Sequence, residues 1–376
     1  MLIRILFSAV PGAGHVNPML PLAREARAAG HQVALLTGHE MVGQVEIPVL
    51  AVGPPIGAMV AEATKRVGEA PRPGGPAPLP PTLEVELFAG TRIDLTAPEA
   101  LPVAQAWRPD LVVSEYADTV GPLVATSLAI PWARMAFGPA MDDDRVTQVA
   151  ESVAPRYAER GLTPTAPIAY LDPCPPSLQR PGWRSGVHRI ALRPQPHQTD
   201  GTSSAVPRFP GRRRPLIVVT LGTVFGTTAM LRSMIESLAP TGVDVICTLG
   251  AQFVDAGGLE RDWVKLVDYV PLDRLLDGVS AVVSVGGAGT TLGTLERGVP
   301  LVMLPQGADH PRNVAAATRA GAAIEIHDPA ETGEAVAKLL ADPSFTARAR
   351  AVADEMRTMR SAPEALSELI GLIGPR

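Results

Sequence analysis

Residues 2–37 read LIRILFSAVPGAGHVNPMLPLAREARAAGHQVALLT. Leu2–Ser8 is a short apolar, partly β-branched run. The turn PGAGHVNP follows, and Met19, Leu20, Leu22, Ala23, Ala26 and Ala29 then recur at helical spacing until Gly30 closes the helix. His31–Thr37 is a second apolar run, so the segment reads strand, turn, helix, strand. Such a unit is a right-handed crossover between parallel strands, which commits the chain to an α/β fold.

The same alternation recurs outward. Leu111–Val113 within RPDLVVSE, a small-residue helix near Thr119–Ala129 and the strand-like Pro131–Ala136 continue the first sheet. Gly53–Pro81 is dense in Pro and Gly without a sustained period and reads as one long loop. Leu171–Pro215 is rich in Pro, Gly and Arg and reads as an interdomain crossing. Beyond it, Leu216–Leu221, Val243–Leu249, Val264–Tyr269, Ala281–Ser284 and Val299–Leu304 alternate with helical segments, predicting a second doubly wound domain. Two domains also suit 376 residues, because single cores stop growing near ~250–300 residues. The expected division is a first domain over 1–200, a linker over 201–214, a second domain over 215–358 and a terminal helix over 359–376. Ser361–Gly374 carries Ala365, Leu366, Leu369, Ile370 and Ile373 on one helical face that seeks burial, on its own domain or on a partner subunit. A homodimer is the candidate assembly.

Composition removes several classes. The formal charge is 33 − 38 = −5, too mild for bulk attraction to nucleic acid. Two cysteines, Cys174 and Cys247, are too few for a disulfide framework or a Cys-based zinc site. Arg4 interrupts the apolar start, which lacks a signal peptide's layout, and no run is long enough to span a bilayer, so a cytoplasmic, membrane-free protein is expected.

Three stretches offer chemistry. The turn PGAGHVNP delivers His15 to the carboxyl end of the first strand, where open α/β sheets bind ligands. As a dinucleotide fingerprint it fails, since Asn17 occupies the third glycine position and no acid follows Thr37. His15 is either a general base or a capping histidine. An orienting acid is available in Glu115, with Asp118 one turn later, although an acid there also simply favours a helix start. The stretch Val282–Ala322 holds a strand, then Gly286, Gly287 and Gly289 with Thr290 and Thr291, then a helix: a phosphate cradle, or an ordinary tight turn. It is no Walker loop, because GxxxxGK[ST] is absent. One βα unit later, Pro305–His310 brings an acid and polar neighbours to the same edge, suited to sugar hydroxyls.

These residues resemble the inverting nucleotide-sugar glycosyltransferases of GT-B architecture, family 1, especially the bacterial natural-product enzymes. The likeness runs from PGAGHVNPMLPLAREARAAGHQV through RPDLVV, VTLGT and VDYVPLDRLL to GGAGTT…GVPLVMLPQGADHPRN. The last block is specific to the family. The resemblance implies two Rossmann-like domains facing across a cleft, with the last helix crossing back to the first. It implies that His15 deprotonates the acceptor hydroxyl, that the acid at Glu115, with Asp118 as its rival, holds His15, and that the diphosphate lies on Gly286, Gly287, Ala288, Gly289 and Thr290. Gly222 and Thr223 would lie near the phosphates, Val270 and Pro271 beside the nucleobase, and Gln306, Asp309 and His310 toward the donor sugar. Gly14, Asn17 and Met141 would face the acceptor.

The implied reaction is a single displacement that inverts the anomeric carbon, moving sugar from a dTDP- or UDP-sugar to a lipophilic secondary-metabolite aglycone, with no metal and no cofactor. An apolar acceptor pocket of Ala, Leu, Val and Met is expected. Two departures stand out: Val285 where relatives carry a diphosphate-contacting histidine, and Glu115 in place of Asp. They sustain the alternative of a catalytically impaired donor-binding homologue. A sugar-nucleotide epimerase of this architecture would need further acid–base residues in the cleft, and none is evident.

Overall fold

The computed structural model describes residues 2–69, 79–195, 206–211, 213–222, 225–250, 253, 257–268 and 270–374. The first half contributes seven strands: β1 Arg4–Ser8, β2 Gln32–Thr37, β3 Val49–Ala51, β4 Leu111–Glu115, β5 Trp132–Met135, β6 Ala169–Asp172 and β7 Arg189–Ala191. The second contributes six: β8 Leu216–Thr220, β9 Asp244–Thr248, β10 Val264–Val267, β11 Val279–Ser284, β12 Leu301–Met303 and β13 Ala323–Glu325. The sheet orders are β3-β2-β1-β4-β5-β6-β7 and β10-β9-β8-β11-β12-β13, with parallel pairing throughout. Helices cover both faces, so strand residues such as Ile5, Phe7, Val112, Val218 and Val283 are buried.

In each sheet the order reverses once, between β1 and β4 and between β8 and β11. The crevice beyond the carboxyl ends of the strands at such a reversal is where an open α/β sheet receives a ligand. β1 pairs with β4 so that Ser8 lies opposite Ser114, which brings the turn after β1 and the end of β4 to one point.

Two sequence readings are corrected. Gly53–Pro81 is not one loop: Ile56–Val67 is a helix that buries Met59 and Ala63, ends with Gly68 at φ +72°, and joins a small core with Leu83 and Leu87. The Pro and Gly around it hid a period only three turns long. Residues 70–78 of that stretch lie outside the described residues. The crossing over Leu171–Pro215 is likewise not all connection, since β6 and β7 extend the first sheet and Arg189 Nε donates to the buried Asp172 at 2.8 Å. Residues 201–205 and 212 of the expected linker also lie outside the description.

The chain ends by returning. The helix Ala362–Gly371 starts on a capping box between Ser361 and Glu364, and its Ala362, Ala365, Leu366 and Leu369 enter the core formed with β1, β2 and the helix Leu20–Ala28. Arg360 bridges to Leu192 in parallel. In the other direction, Cys174 and Leu178 join the core of the second domain, so each domain borrows side chains from across the chain. Among the described residues no helix is long and apolar enough to cross a membrane. Leu369 is fully buried, so Leu369→Ala should destabilise the protein by about 2–5 kcal/mol in urea denaturation. Leu372→Ala, at a position 41% exposed, should change stability by no more than about 0.5 kcal/mol.

Candidate active site

Beyond β1 the chain folds into one tight helical turn, Ala13–Val16, in which His15 N and Val16 N donate to the carbonyl of Gly12 at 3.1 and 3.0 Å. The His15 side chain is 25% exposed while its partner Glu115 is buried. Glu115 Oε1 accepts from His15 Nδ1 at 3.1 Å and from Val10 N at 3.2 Å, and Oε2 accepts from Ala117 N at 2.7 Å. An ionised carboxylate only accepts, so the ring proton sits on Nδ1 and the lone pair on Nε2. Burial works against the imidazolium, but the charge and hydrogen bond of Glu115, helped by the charge of Asp309 and opposed by Arg92, raise the His15 pKa above its ordinary value.

Asp118 does not reach His15. Its Oδ1 accepts from Arg92 Nε and Nη2 at 3.0 and 2.8 Å, and its Oδ2 accepts from Ser8 Oγ at 2.5 Å and Gly121 N at 2.9 Å. Arg92 is 1% exposed, and its Nη2 also donates to the Ala9 carbonyl at 2.9 Å. The pair ties together β1, the turn after β4 and the start of the helix Arg92–Trp107. Glu115, by contrast, reaches His15 because β4 runs one residue past Ser114, its last residue paired with β1.

Aromatic side chains pack against His15. Phe137 meets its ring edge-on at 5.5 Å, Phe88 lies tilted at 5.9 Å, and Tyr116 meets Phe137 edge-on at 5.9 Å. Phe88 comes from a π-helical turn, Glu86–Thr91, a geometry often found at functional sites. The 4% aromatic content of the chain concealed the cluster. Position was the available signal: Tyr116 follows the end of β4 and Phe137 follows the end of β5, at the same sheet edge as His15. Met141 N donates to Tyr116 Oη at 2.6 Å, which places Met141 beside this wall. Gly14 is exposed, and Asn17 begins the next turn.

The second half of the site faces the first. After β11, Gly286 holds φ +93°, where an added Cβ would lie 2.9 Å from Val314 Cγ2, so both the conformation and the space require glycine. The helix Ala288–Glu296 follows with Gly289 exposed and Thr290 half-buried at its N-terminus. Asp309 Oδ2 accepts from Ala288 N at 3.1 Å and Asn313 Nδ2 at 2.6 Å. His310 is buried against the glycine turn, and Val285 is also buried. Gln306 Nε2 donates to the carbonyls of Pro305 and Leu304 at 3.2 and 3.4 Å. Ala308 between them adopts φ +51°, a strained value for a residue with a Cβ. Val270 and Pro271 are buried, Gly222 is exposed, and Thr223 lies outside the described residues. The halves touch at Gly138, where a Cβ would lie 2.9 Å from Asn313 Oδ1 and 3.4 Å from Ala288 Cβ, and Arg312 stands 6.0 Å over the Tyr116 ring. Among the described residues no three His, Cys, Asp or Glu form a metal-binding group.

The sequence matches the family described as "Erythromycin biosynthesis protein CIII-like", its N-terminal domain over residues 25–222 and its C-terminal domain over residues 232–372. The chain belongs to this glycosyltransferase family. It is 30% identical to the L-demethylnoviosyl transferase of Streptomyces niveus over 97% of each chain. It is 28% identical to the elloramycin glycosyltransferase ElmGT of Streptomyces olivaceus over 97% of this chain and 96% of that one. Its fold matches the glycosyltransferase SsfS6 of Streptomyces sp. SF2575 in complex with thymidine diphosphate, at TM-score 0.81 and 27% identity, over 98% of this chain and 99% of that one. The protein is therefore a nucleotide-sugar-dependent transferase of the bacterial natural-product type, with GT-B architecture.

In this transferase the Arg92–Asp118 pair is a buried charge pair near His15. Removing one partner strands the other charge, so Arg92→Met should cost about 3–5 kcal/mol in denaturant unfolding. Arg92→Met/Asp118→Asn should cost less than the single change, because the uncompensated carboxylate is gone.

Proposed function

We propose that the transferase moves a sugar, with inversion, from a thymidine-diphosphate donor to a hydroxyl of a lipophilic acceptor. The observation that carries this reading is the His15–Glu115 pair, with Nδ1–H engaged and the Nε2 lone pair left to take a proton. In the proposed step Nε2 removes the hydroxyl proton as the acceptor oxygen bonds to the anomeric carbon. The bond from that carbon to the diphosphate oxygen breaks on the opposite face, and the electron pair leaves with the nucleotide. The N–H groups of Gly289 and Thr290 and the positive end of their helix meet the growing charge, so the reading requires no metal and no cofactor. Thymidine as the base is supported by the diphosphate bound to SsfS6. The acceptor presents a flat, aromatic hydroxyl-bearing ring, a reading supported by the faces of Phe88, Phe137 and Tyr116 around the base.

The alternative of an impaired donor-binding homologue rests on Val285, which offers no polar atom to a diphosphate. Against it stands the assembled base, since a protein that only holds a donor has no use for a carboxylate fixed by two backbone N–H groups and paired with a cleft histidine.

Turnover with TDP-sugars and phenolic acceptors tests the reading. His15→Ala should lower kcat about 10²–10⁴-fold with thymidine diphosphate binding retained. The base works only when unprotonated, so kcat/KM should fall as pH drops through a His15 pKa above the ordinary 6.5. Removing the negative charge in Glu115→Gln should lower that pKa, moving the acid limb to lower pH while the plateau also drops. Phe88→Ala and Phe137→Ala should each raise the acceptor KM roughly threefold to tenfold, leaving the donor KM unchanged.

A further inference from the structure

His310 opens the helix His310–Arg319, yet only 4% of it is exposed. Its ring is held from three sides. Gln306 N donates to Nδ1 at 3.3 Å, and the Phe225 ring meets it edge-on at 4.7 Å. The glycine turn lies against it, so that a Cβ on Gly286 would be 3.5 Å from His310 Cβ. Because Nδ1 accepts a hydrogen bond, the proton of the neutral ring resides on Nε2. Burial disfavours the imidazolium and lowers the pKa against the opposing charge of Asp309, which keeps the ring neutral at neutral pH. Among the described residues the hydrogen bond to the ring falls on Nδ1 and none falls on Nε2, and a Cβ on Gly287 would lie 3.9 Å from Nε2. The ring belongs to a buried residue, and its unpaired N–H therefore stands beside the turn that begins the helix Ala288–Glu296.

The groups around this point decide the ligand. Gly289 N, Thr290 N and His310 Nε2 are all donors, whereas the nearest acid, Asp309, has its Oδ2 engaged with Ala288 N and Asn313 Nδ2. A sugar hydroxyl needs an acceptor as well as a donor; an anion needs donors only. Val285, which follows β11 and precedes the turn, is apolar and adds nothing to the set.

We propose that His310 binds the diphosphate of the donor rather than its sugar, giving its Nε2–H to a phosphate oxygen. The assignment rests on reading the glycine turn as the donor diphosphate site, and it gives the molecule its diphosphate-contacting imidazole from the helix after β12.

Two substitutions separate the atoms of the ring. His310→Asn keeps an oxygen near Nδ1 for Gln306 N and deletes the group at Nε2. His310→Gln places an amide N–H near the position of Nε2. Calorimetric titration of the full chain with thymidine diphosphate and thymidine monophosphate, alongside thermal unfolding, reads the outcome. The expected result is that wild type prefers the diphosphate, that His310→Asn narrows the preference about tenfold or more, and that His310→Gln largely restores it, with unfolding temperatures of the two variants alike. Unchanged diphosphate preference in His310→Asn overturns the assignment, as does an equal loss for both nucleotides or equal loss in both variants. Wild type that binds neither nucleotide instead overturns the donor reading beneath it. Weakened turnover with intact thymidine diphosphate affinity in both variants would return His310 to the sugar.

Discussion

The order reversal in each parallel sheet is the constraint from which the site follows. Where successive crossovers leave a sheet in opposite directions, the loops at the carboxyl ends of the two central strands part and a crevice opens. In the first domain those strands are β1 and β4, and their ends carry His15 and Glu115. In the second they are β8 and β11, and their ends carry Gly222 and the glycine turn. Both crevices face one cleft, closely enough for the charge of Asp309 to act on His15. The helix Ala362–Gly371 and the Cys174–Leu178 segment hold that relation by burying apolar side chains in the core opposite to their neighbours in sequence.

What the sequence disclosed follows the strength of its periodic signals. Parallel strands are buried on both faces and read as unbroken apolar runs, so β1, β2, β4, β8 and β11 stand out, and glycine turns mark the ends that matter. β3, β7 and the helix Ile56–Val67 escaped for the opposite reason. The two strands are three residues each, and the helix buries only Met59 and Ala63 between stretches of Pro and Gly. A short, shallow amphipathic face does not rise above such surroundings.

The site divides similarly. The pairing of His15 with Glu115 was legible because β1 and β4 neighbour one another at the reversal, and a strand-end acid beside a strand-end histidine has few other places to go. Asp118 looked equally available in one dimension. Only the fold shows that Arg92, distant in sequence, claims it, since a buried guanidinium and a buried carboxylate are each too costly to leave alone. The aromatic wall was hidden by averaging. Composition describes the whole chain, whereas a pocket needs only three rings, and Phe88 arrives on a π-helical turn while Tyr116 and Phe137 arrive on two separate strand-end loops.

Two histidines in the cleft show how hydrogen-bond partners assign chemistry to identical side chains. At His15 the group facing Nδ1 is a carboxylate, which takes a proton, so Nε2 is left with a lone pair. At His310 the group facing Nδ1 is a backbone N–H, which gives one, so Nε2 is left with the proton. Their pKa values move in opposite directions: Glu115 stabilises the charge on one ring, while burial without a comparable partner suppresses it on the other. Under the proposed chemistry one ring receives a proton and the other offers a hydrogen bond without ionising. A single change at the atom opposite Nδ1 would exchange the roles, which is why Glu115 and the Gln306 peptide matter as much to the cleft as the rings they hold.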